Sequence, residues 1–383
     1  MMNQHDIQSS AKPATTKRAF RVKPLAIAAS LALSAVALPA AAASWWNANP
    51  HIAIGSRTIN VKSKGAVGNG RHDDTAAIQA AINALPKSGG TVYVPAGRYM
   101  INTSKSINLH SHVRLQLASN AELRAIPSGK SRYHMVKVFN VSNVEIVGGR
   151  LTGDRAKHKG RSGEWGYGIN ISGSDHVYVH NLSLSQFWGD GLWIGATGKR
   201  SRLDRSNYIT INHVNSSQNR RQGMSIGPAT HVYIVNSTFK DTKGTLPEAG
   251  IDFEPQKQGP ADTIRLENNT ISGNHGNGIE MHTNVSGISF VRNNFTGNRG
   301  FGVMAIGSHH LTFNGNHATR NGLAGLRMSG KTHNATISGN TLQYNSTQYM
   351  SASRGGGGQS RDIQVSNGAR AIKITNNKLT PKR

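Results

Sequence analysis

Gly278-Ile279-Glu280-Met281-His282, Gly302-Val303-Met304-Ala305 and Gly325-Leu326-Arg327-Met328 are three copies of one unit, a glycine followed by alternating apolar and variable residues. Toward the N-terminus the unit recurs at Gly250-Ile251, Gly223-Met224, Gly191-Leu192 and Gly168-Ile169, with spacings of roughly 23 to 32 residues. Period-two alternation marks a strand with one buried face: the first and third residues after each glycine turn inward, the second and fourth outward. About ten residues further on comes a second alternating strand that ends in an Asn-rich turn. A unit this short cannot bury its apolar face alone, so the pattern predicts a solenoid with one coil per copy, longer copies carrying loop insertions. Leucine-rich and propeller repeats compete, but no Leu-rich consensus or Trp-Asp signature accompanies the units.

Stacked coils turn equal repeat positions into columns about 4.8 Å apart. The second residue after each glycine gives Asn170, Trp193, Ser225, Asp252, Glu280, Met304 and Arg327; the fourth gives Ser172, Gly195, Gly227, Glu254, His282 and Ser329. Three carboxylates and a histidine therefore fall on two successive coils of one outward face. Asp252, Glu254, Glu280 and His282 are the candidate catalytic residues. Side by side, Asp252 and Glu280 repel, so one of them should hold its proton more tightly unless a cation lies between them. His282 beside Glu254 offers a second proton-transfer pair. A structural calcium site and a plain surface salt-bridge ladder use the same residue types. Asn269, Asn274, Asn294, Asn298, Asn316, Asn321 and Asn340 recur at the turns and read as structural ladder residues.

Arg220, Arg221 and Gln222 precede the Ser225 strand. Together with Asp190, Trp193 and Arg327 they form the candidate substrate-binding set. Arginine holds planar carboxylates in a two-pronged fork, and indoles such as Trp165, Trp188 and Trp193, with Tyr167, can stack on sugar rings. The insertions at 153–166, 199–206, 241–248 and 255–262 are candidate groove walls.

The formal charge of +26 favours an anionic partner. Nucleic acid is the weaker choice, because the basic residues are spread through the repeats and few aromatics interleave with them as a base-stacking platform would need. There is no cysteine, so neither disulfides nor thiolate metal sites hold the fold. Lys17, Arg18, Arg21 and Lys23, an apolar run from Pro24 to Leu38 and the small residues Ala40 to Ala43 read as a secretory signal. The expectation is a leader over residues 1–43, a mature chain from Ser44, secreted or periplasmic, monomeric and not membrane-inserted.

Between Thr58 and Ile101 the order is strand, Gly-rich turn, helix, Gly-Gly turn, strand, with Asp73 or Asp74 positioned to cap a helix bearing Ala77, Ile78, Ala81, Ile82 and Leu85. A solenoid needs such a plug over its first coil. Ile59-Asn60-Val61, Gly65-Ala66-Val67-Gly68-Asn69-Gly70, Asp73-Asp74 and Gly89-Gly90-Thr91-Val92-Tyr93-Val94-Pro95 closely resemble the N-terminal cap of the pectate lyase superfamily. The resemblance runs from about Thr58 to the C-terminus. It implies an all-β fold, a right-handed parallel β-helix with a cap (58–101) containing one short α-helix, coils over 102–349, and a C-terminal loop and final coil over 350–383, in one domain, 44–383. Lyases, galacturonan hydrolases and alginate C5-epimerases share that fold, so the site must choose among them.

Gly250-Ile251-Asp252-Phe253-Glu254 is similar in layout to the Asp-Pro-His motif of alginate epimerases and lyases, but Glu254 stands where that family has His, and His282 takes the corresponding place one coil later. Asp190-Gly191-Leu192 and Gly223-Met224-Ser225-Ile226-Gly227 resemble polygalacturonase segments, with Gln222 in place of the histidine and the paired-Asp coil missing. The leading expectation is a lyase that cleaves an acidic polysaccharide by β-elimination, with His282 or Glu280 as base, no certain cofactor, and calcium as the candidate ion. C5-epimerisation, glycoside hydrolysis and non-catalytic polysaccharide binding at the cell envelope are the alternatives.

Overall fold

The computed structural model describes residues 44–255, 257–347 and 362–380. The leader segment and the Gly355 to Gly358 run lie outside the described residues. Coils follow one another in the manner of Ile251–Phe253, Ala261–Glu267 and Thr270–Ser272, then Ile279–Met281, Val285–Val291 and Asn294–Thr296. The strands of these coils pair in parallel with their counterparts in the next, residue for residue: Ile251 with Ile279, Ile264 with Ile288, Ile271 with Phe295. The architecture is the all-β parallel β-helix that the repeats predict.

The core follows from the alternation. Ile251, Phe253, Ile279, Met281, Val303, Ala305, Leu326 and Met328 are fully buried, while Phe290 and Phe313 stack at 4.6 Å between neighbouring coils. At the N-terminal end the helix Thr75–Asn83 lays Ile78, Ala81 and Ile82 over the first coil. Asp73 rather than Asp74 serves its first turn, accepting from the Thr75 hydroxyl at 2.5 Å and the Thr75 amide at 3.1 Å. Asp74 is fully buried and instead accepts from the amides of Val67 and Gly68 in the Gly-rich turn.

Two asparagine ladders run along the turns. One links Asn269, Asn293, Asn316, Asn340 and Asn377; the other links Asn274, Asn298, Asn321 and Asn345 and ends on Asp362. Each interior amide donates backward to a carbonyl of the preceding coil and forward to the next Asn, as Asn298 does to Ile271 (3.1 Å) and Asn321 (3.0 Å). Asn294, expected in this role, instead opens a strand, and its buried neighbour Asn293 takes the rung.

The first described residues run back along the outside of the solenoid. Trp46 lies beneath the Arg265 guanidinium at 4.7 Å, the Ala48 carbonyl accepts from Asn212 and Tyr178, and the Ala53 carbonyl accepts from His112. Among the described residues no helix is long and apolar enough to cross a membrane.

Candidate functional site

One sheet of the solenoid carries all the outward candidates. Its strands Arg132–Phe139, Trp165–Ser172, Asp190–Lys199, Gln222–Ile226, Ile251–Phe253, Ile279–Met281, Val303–Ile306 and Leu326–Ser329 stack in that order. The register aligns Asn170, Trp193, Ser225, Asp252, Glu280, Met304 and Arg327 in one column, continued by Gln364.

Asp252 is 1% exposed, so little solvent remains to support its charge. Burial raises its proton affinity to about pH 6, against the opposing pull of His282. The Gln222 amide donates to Asp252 Oδ2 at 2.5 Å, while His282 Nε2 stands 3.4 Å from Oδ1, too far to count as a short hydrogen bond. The same Nε2 is 3.4 Å from Oε1 of Glu280, whose other oxygen accepts from Asn277 at 2.8 Å. With its side chain 35% exposed, His282 is the most accessible of the cluster. The Asp252 carboxylate, backed by Glu280 and Glu254, raises the imidazole pKa above its usual value despite partial burial.

Glu254 does not pair with His282 as expected. The Arg221 guanidinium grips it with two bonds of 2.9 Å, and also reaches Asp190 at 3.2 Å and Gln222 Oε1 at 2.6 Å. Burial opposes the charge of Arg221, but the doubly bonded Glu254 carboxylate keeps the guanidinium protonated. Asp190 and Gln222 are completely buried and Arg221 nearly so. Asp190 and Gln222 are enclosed and brace the floor of the site, whereas Arg221, with Glu254, also lines the adjoining cleft. Burial pushes Asp190 up to about pH 7. Arg220 is also displaced from the groove: it stacks on Trp188 at 3.9 Å and donates to the Gly163 carbonyl. Arg327 lies farther along the column, bonded to Gln364 at 2.8 Å and set over Phe301.

On the N-terminal side of the acids the sheet opens into a cleft of about 430 Å³, lined by Arg132, Trp165, Tyr167 and Trp193 and floored by His134 and Asn170. The Trp193 indole lies flat because Gly195 and Gly227 stand beneath it: a Cβ at Gly195 would come within 2.5 Å of the ring. Tyr167 stacks on Trp193 at 5.7 Å, and Arg132 covers Trp165 at 4.9 Å. Asn170 binds His134 at 3.0 Å; burial, with the charges of Lys137 and Arg132, lowers that imidazole to about pH 4, so it is neutral. Arg132 and His134 were not singled out by the repeat. Their strand buries both Met135 and Val136, which breaks the alternation that would have revealed them. Among the described residues no group of three or more His, Asp or Glu is arranged to hold a metal ion.

Residues 58–142 match the family described as rhamnogalacturonase A/epimerase, pectate lyase-like, and residues 250–381 match the right-handed β-helix region. Protein YclG of Bacillus subtilis is 27% identical over 84% of this chain and 58% of its own length. Mannuronan C5-epimerase AlgE3 of Azotobacter vinelandii is 29% identical over 66% of this chain and 12% of its own. This chain thus spans little more than half the first relative and a small part of the second. Among solved structures, the A-module of mannuronan C5-epimerase AlgE6 from A. vinelandii superposes with a TM-score of 0.64 at 19% identity, covering 85% of this chain and all of that module, a likeness of fold. Coil architecture, N-terminal cap and both matches agree: the chain is a parallel β-helix protein whose residues 58–142 match the pectate lyase-like family and whose residues 250–381 match the right-handed β-helix region.

Proposed function

We propose that this protein is a carbohydrate-active enzyme that removes the C5 proton of a uronate within an acidic polysaccharide and cleaves the chain by β-elimination. The observation that carries the reading is His282: an accessible imidazole whose Nε2 stands 3.4 Å from two carboxylates, one of them buried. Neutral imidazole takes the proton, and Asp252 and Glu280 stabilise the imidazolium that results. Once protonated, His282 can return the proton to the departing C4 oxygen on the same side of the sugar. The cleft of Trp193, Tyr167 and Trp165 receives the neighbouring sugars, with Arg132 and Arg327 as cations toward either end of the run. The high positive charge of the chain draws the polyanion in.

Hydrolysis fits less well. It needs two carboxyl groups that both reach the glycosidic bond. Asp252 is buried and Glu254 is clamped by Arg221, which leaves Glu280 alone. C5-epimerisation is the second reading, favoured by the named epimerase relative. It requires re-protonation from the opposite face of the sugar, whereas Asp252, Glu280 and His282 share one wall.

The test incubates the protein with a panel of acidic polysaccharides while following ultraviolet absorbance, reducing ends and proton spectra of the intact polymer. Elimination raises the first two together. Reducing ends alone indicate hydrolysis, and altered spectra of uncut polymer indicate epimerisation. Silence in every channel across the panel overturns the enzymatic reading and leaves a polysaccharide-binding protein.

A further inference from the structure

Beneath the acid cluster, Ser225 presents a problem of proton supply. Its hydroxyl has one hydrogen, yet its oxygen lies against Gln222 Oε1 and also 2.8 Å from Asp190 Oδ2. Gln222 cannot be turned over to relieve this. Its Nε2 already donates to Asp252 Oδ2 at 2.5 Å, and its Oε1 already accepts from Arg221 at 2.6 Å. The amide orientation is therefore fixed from both ends. Ser225 Oγ lies closer to Gln222 Oε1 than to Asp190, and two oxygens in such contact need a hydrogen between them that only Ser225 can supply; an ionised Asp190 Oδ2 is then left with a share of Arg221 at 3.2 Å. The other oxygen, Oδ1, is buried without a hydrogen-bond partner. An orphaned carboxylate oxygen in a dry interior is costly; an orphaned carbonyl oxygen of a neutral acid is much less so.

We propose that Asp190 is a protonated carboxylic acid and a positioning residue for Asp252. Its Oδ2 hydrogen is donated to Ser225, Ser225 donates to Gln222, and the Gln222 amide donates to Asp252. The relay presents Asp252 Oδ1 toward His282 and leaves both prongs of Arg221 to Glu254. The charged and titratable groups facing Asp190 agree with this state. Arg221 favours the anion, whereas Glu254 and Asp252, two strands further along the stack, disfavour it, and Tyr167 from the preceding strand lies in the same field. Burial dominates and keeps the acid neutral up to about pH 7. Asp190, invisible to substrate, thereby sets the upper pH limit of the site. This positioning role rests on the catalytic reading above; the protonation state does not.

The experiment has two arms. Difference infrared spectroscopy of the intact, substrate-free protein against Asp190→Asn is expected to show a carboxylic acid C=O band at pH 6 that fades as pH rises past 7. Absence of that band overturns the proposal whether or not any polysaccharide is turned over. In the second arm, pH–rate profiles are recorded on whichever polymer the panel identifies. Asp190→Asn retains a donor and is expected to stay within about threefold of wild type at pH 6 while holding its rate above pH 7, where the wild type declines. Asp190→Ala breaks the relay and is expected to lose about tenfold or more at every pH, the equivalent of one hydrogen bond to a charged group. An Asn variant as impaired as the Ala variant at pH 6, or one whose alkaline decline matches the wild type, overturns the positioning role.

Discussion

Replacing Arg221 by Met tests the architecture of the site floor. The substitution keeps the length of the side chain and removes four contacts: two to Glu254 at 2.9 Å, one to Asp190 at 3.2 Å and one to Gln222 at 2.6 Å. Removing one member of a buried ion pair costs about 3–5 kcal/mol, because the partner charge stays buried and unpaired. Asp190 modulates that cost with pH. Its folded pKa of about 7 lies above the reference 3.8, so the native state holds an extra proton between those values and stability from this group falls as pH rises through the window. Near pH 5 only Glu254 is stranded by the loss of Arg221, and the cost is near the lower bound. At pH 8 the variant also loses the guanidinium that lets Asp190 ionise in the wild type, so Asp190 must hold its proton against the solution pH and the cost approaches the upper bound. Thermal unfolding followed by circular dichroism should show a midpoint lowered by about 5–10 °C, more at pH 8 than at pH 5. Arg220→Met, which loses a stack on Trp188 and half-buried hydrogen bonds to backbone carbonyls, should cost about 1 kcal/mol. Adding Glu254→Gln to the Met variant should restore part of the loss. Equal effects of the two arginine substitutions, or no recovery in the double variant, would refute the clamp.

Other consequences can be checked in parallel. His282→Ala should lower turnover by about 10²–10⁴ while leaving the unfolding midpoint nearly unchanged, measured by single-turnover kinetics and calorimetry. The base acts only when neutral, and Asp252 raises its pKa, so the acid limb of the wild-type pH–rate profile should lie above the ordinary histidine range. Asp252→Asn should move that limb to lower pH and reduce the maximal rate; an unmoved limb assigns the base to another group. Trp193→Ala and Arg132→Ala should each raise KM by about five- to thirtyfold with a smaller change in kcat, as expected for contacts formed equally in ground and transition states. Asn298→Ala should destabilise by about 2–4 kcal/mol in urea unfolding, since it strands buried groups on Asn274, Ile271 and Asn321. Asn294→Ala, off the ladder, should cost much less.

The repeat was enough to place Cα positions. Glycine spacing put Asp252 beside Glu280 and His282 one coil beyond Glu254, and the register bears out both. Period and spacing fix which way a Cβ points, but not where a long side chain ends. Arg221 comes from the residue just ahead of a strand, outside the alternating positions, and its guanidinium reaches both adjacent coils, Asp190 in the one before and Glu254 in the one after. Nothing in the pattern distinguishes it from Arg220, which turns the other way onto Trp188. The near-complete burial of Asp190, Gln222 and Asp252 was equally hidden, because the residue types alone do not reveal how far neighbouring coils cover a polar side chain. His134 was missed where the strand departs from strict alternation at Met135 and Val136.

The asparagine rungs have a consequence for how such a chain can change its reach. Each rung closes its bonds with one predecessor and one successor of identical chemistry, so a whole coil between Asn298 and Asn321 could be duplicated or excised and the seam would rejoin Asn to Asn. Asp252, Glu280 and His282 occupy only two neighbouring coils, upstream of that seam. On the proposed reading, the length of track offered to a polymer can therefore be adjusted in whole-coil increments while the acid cluster keeps its geometry, a separation of gauge from chemistry that a globular barrel or sandwich does not offer.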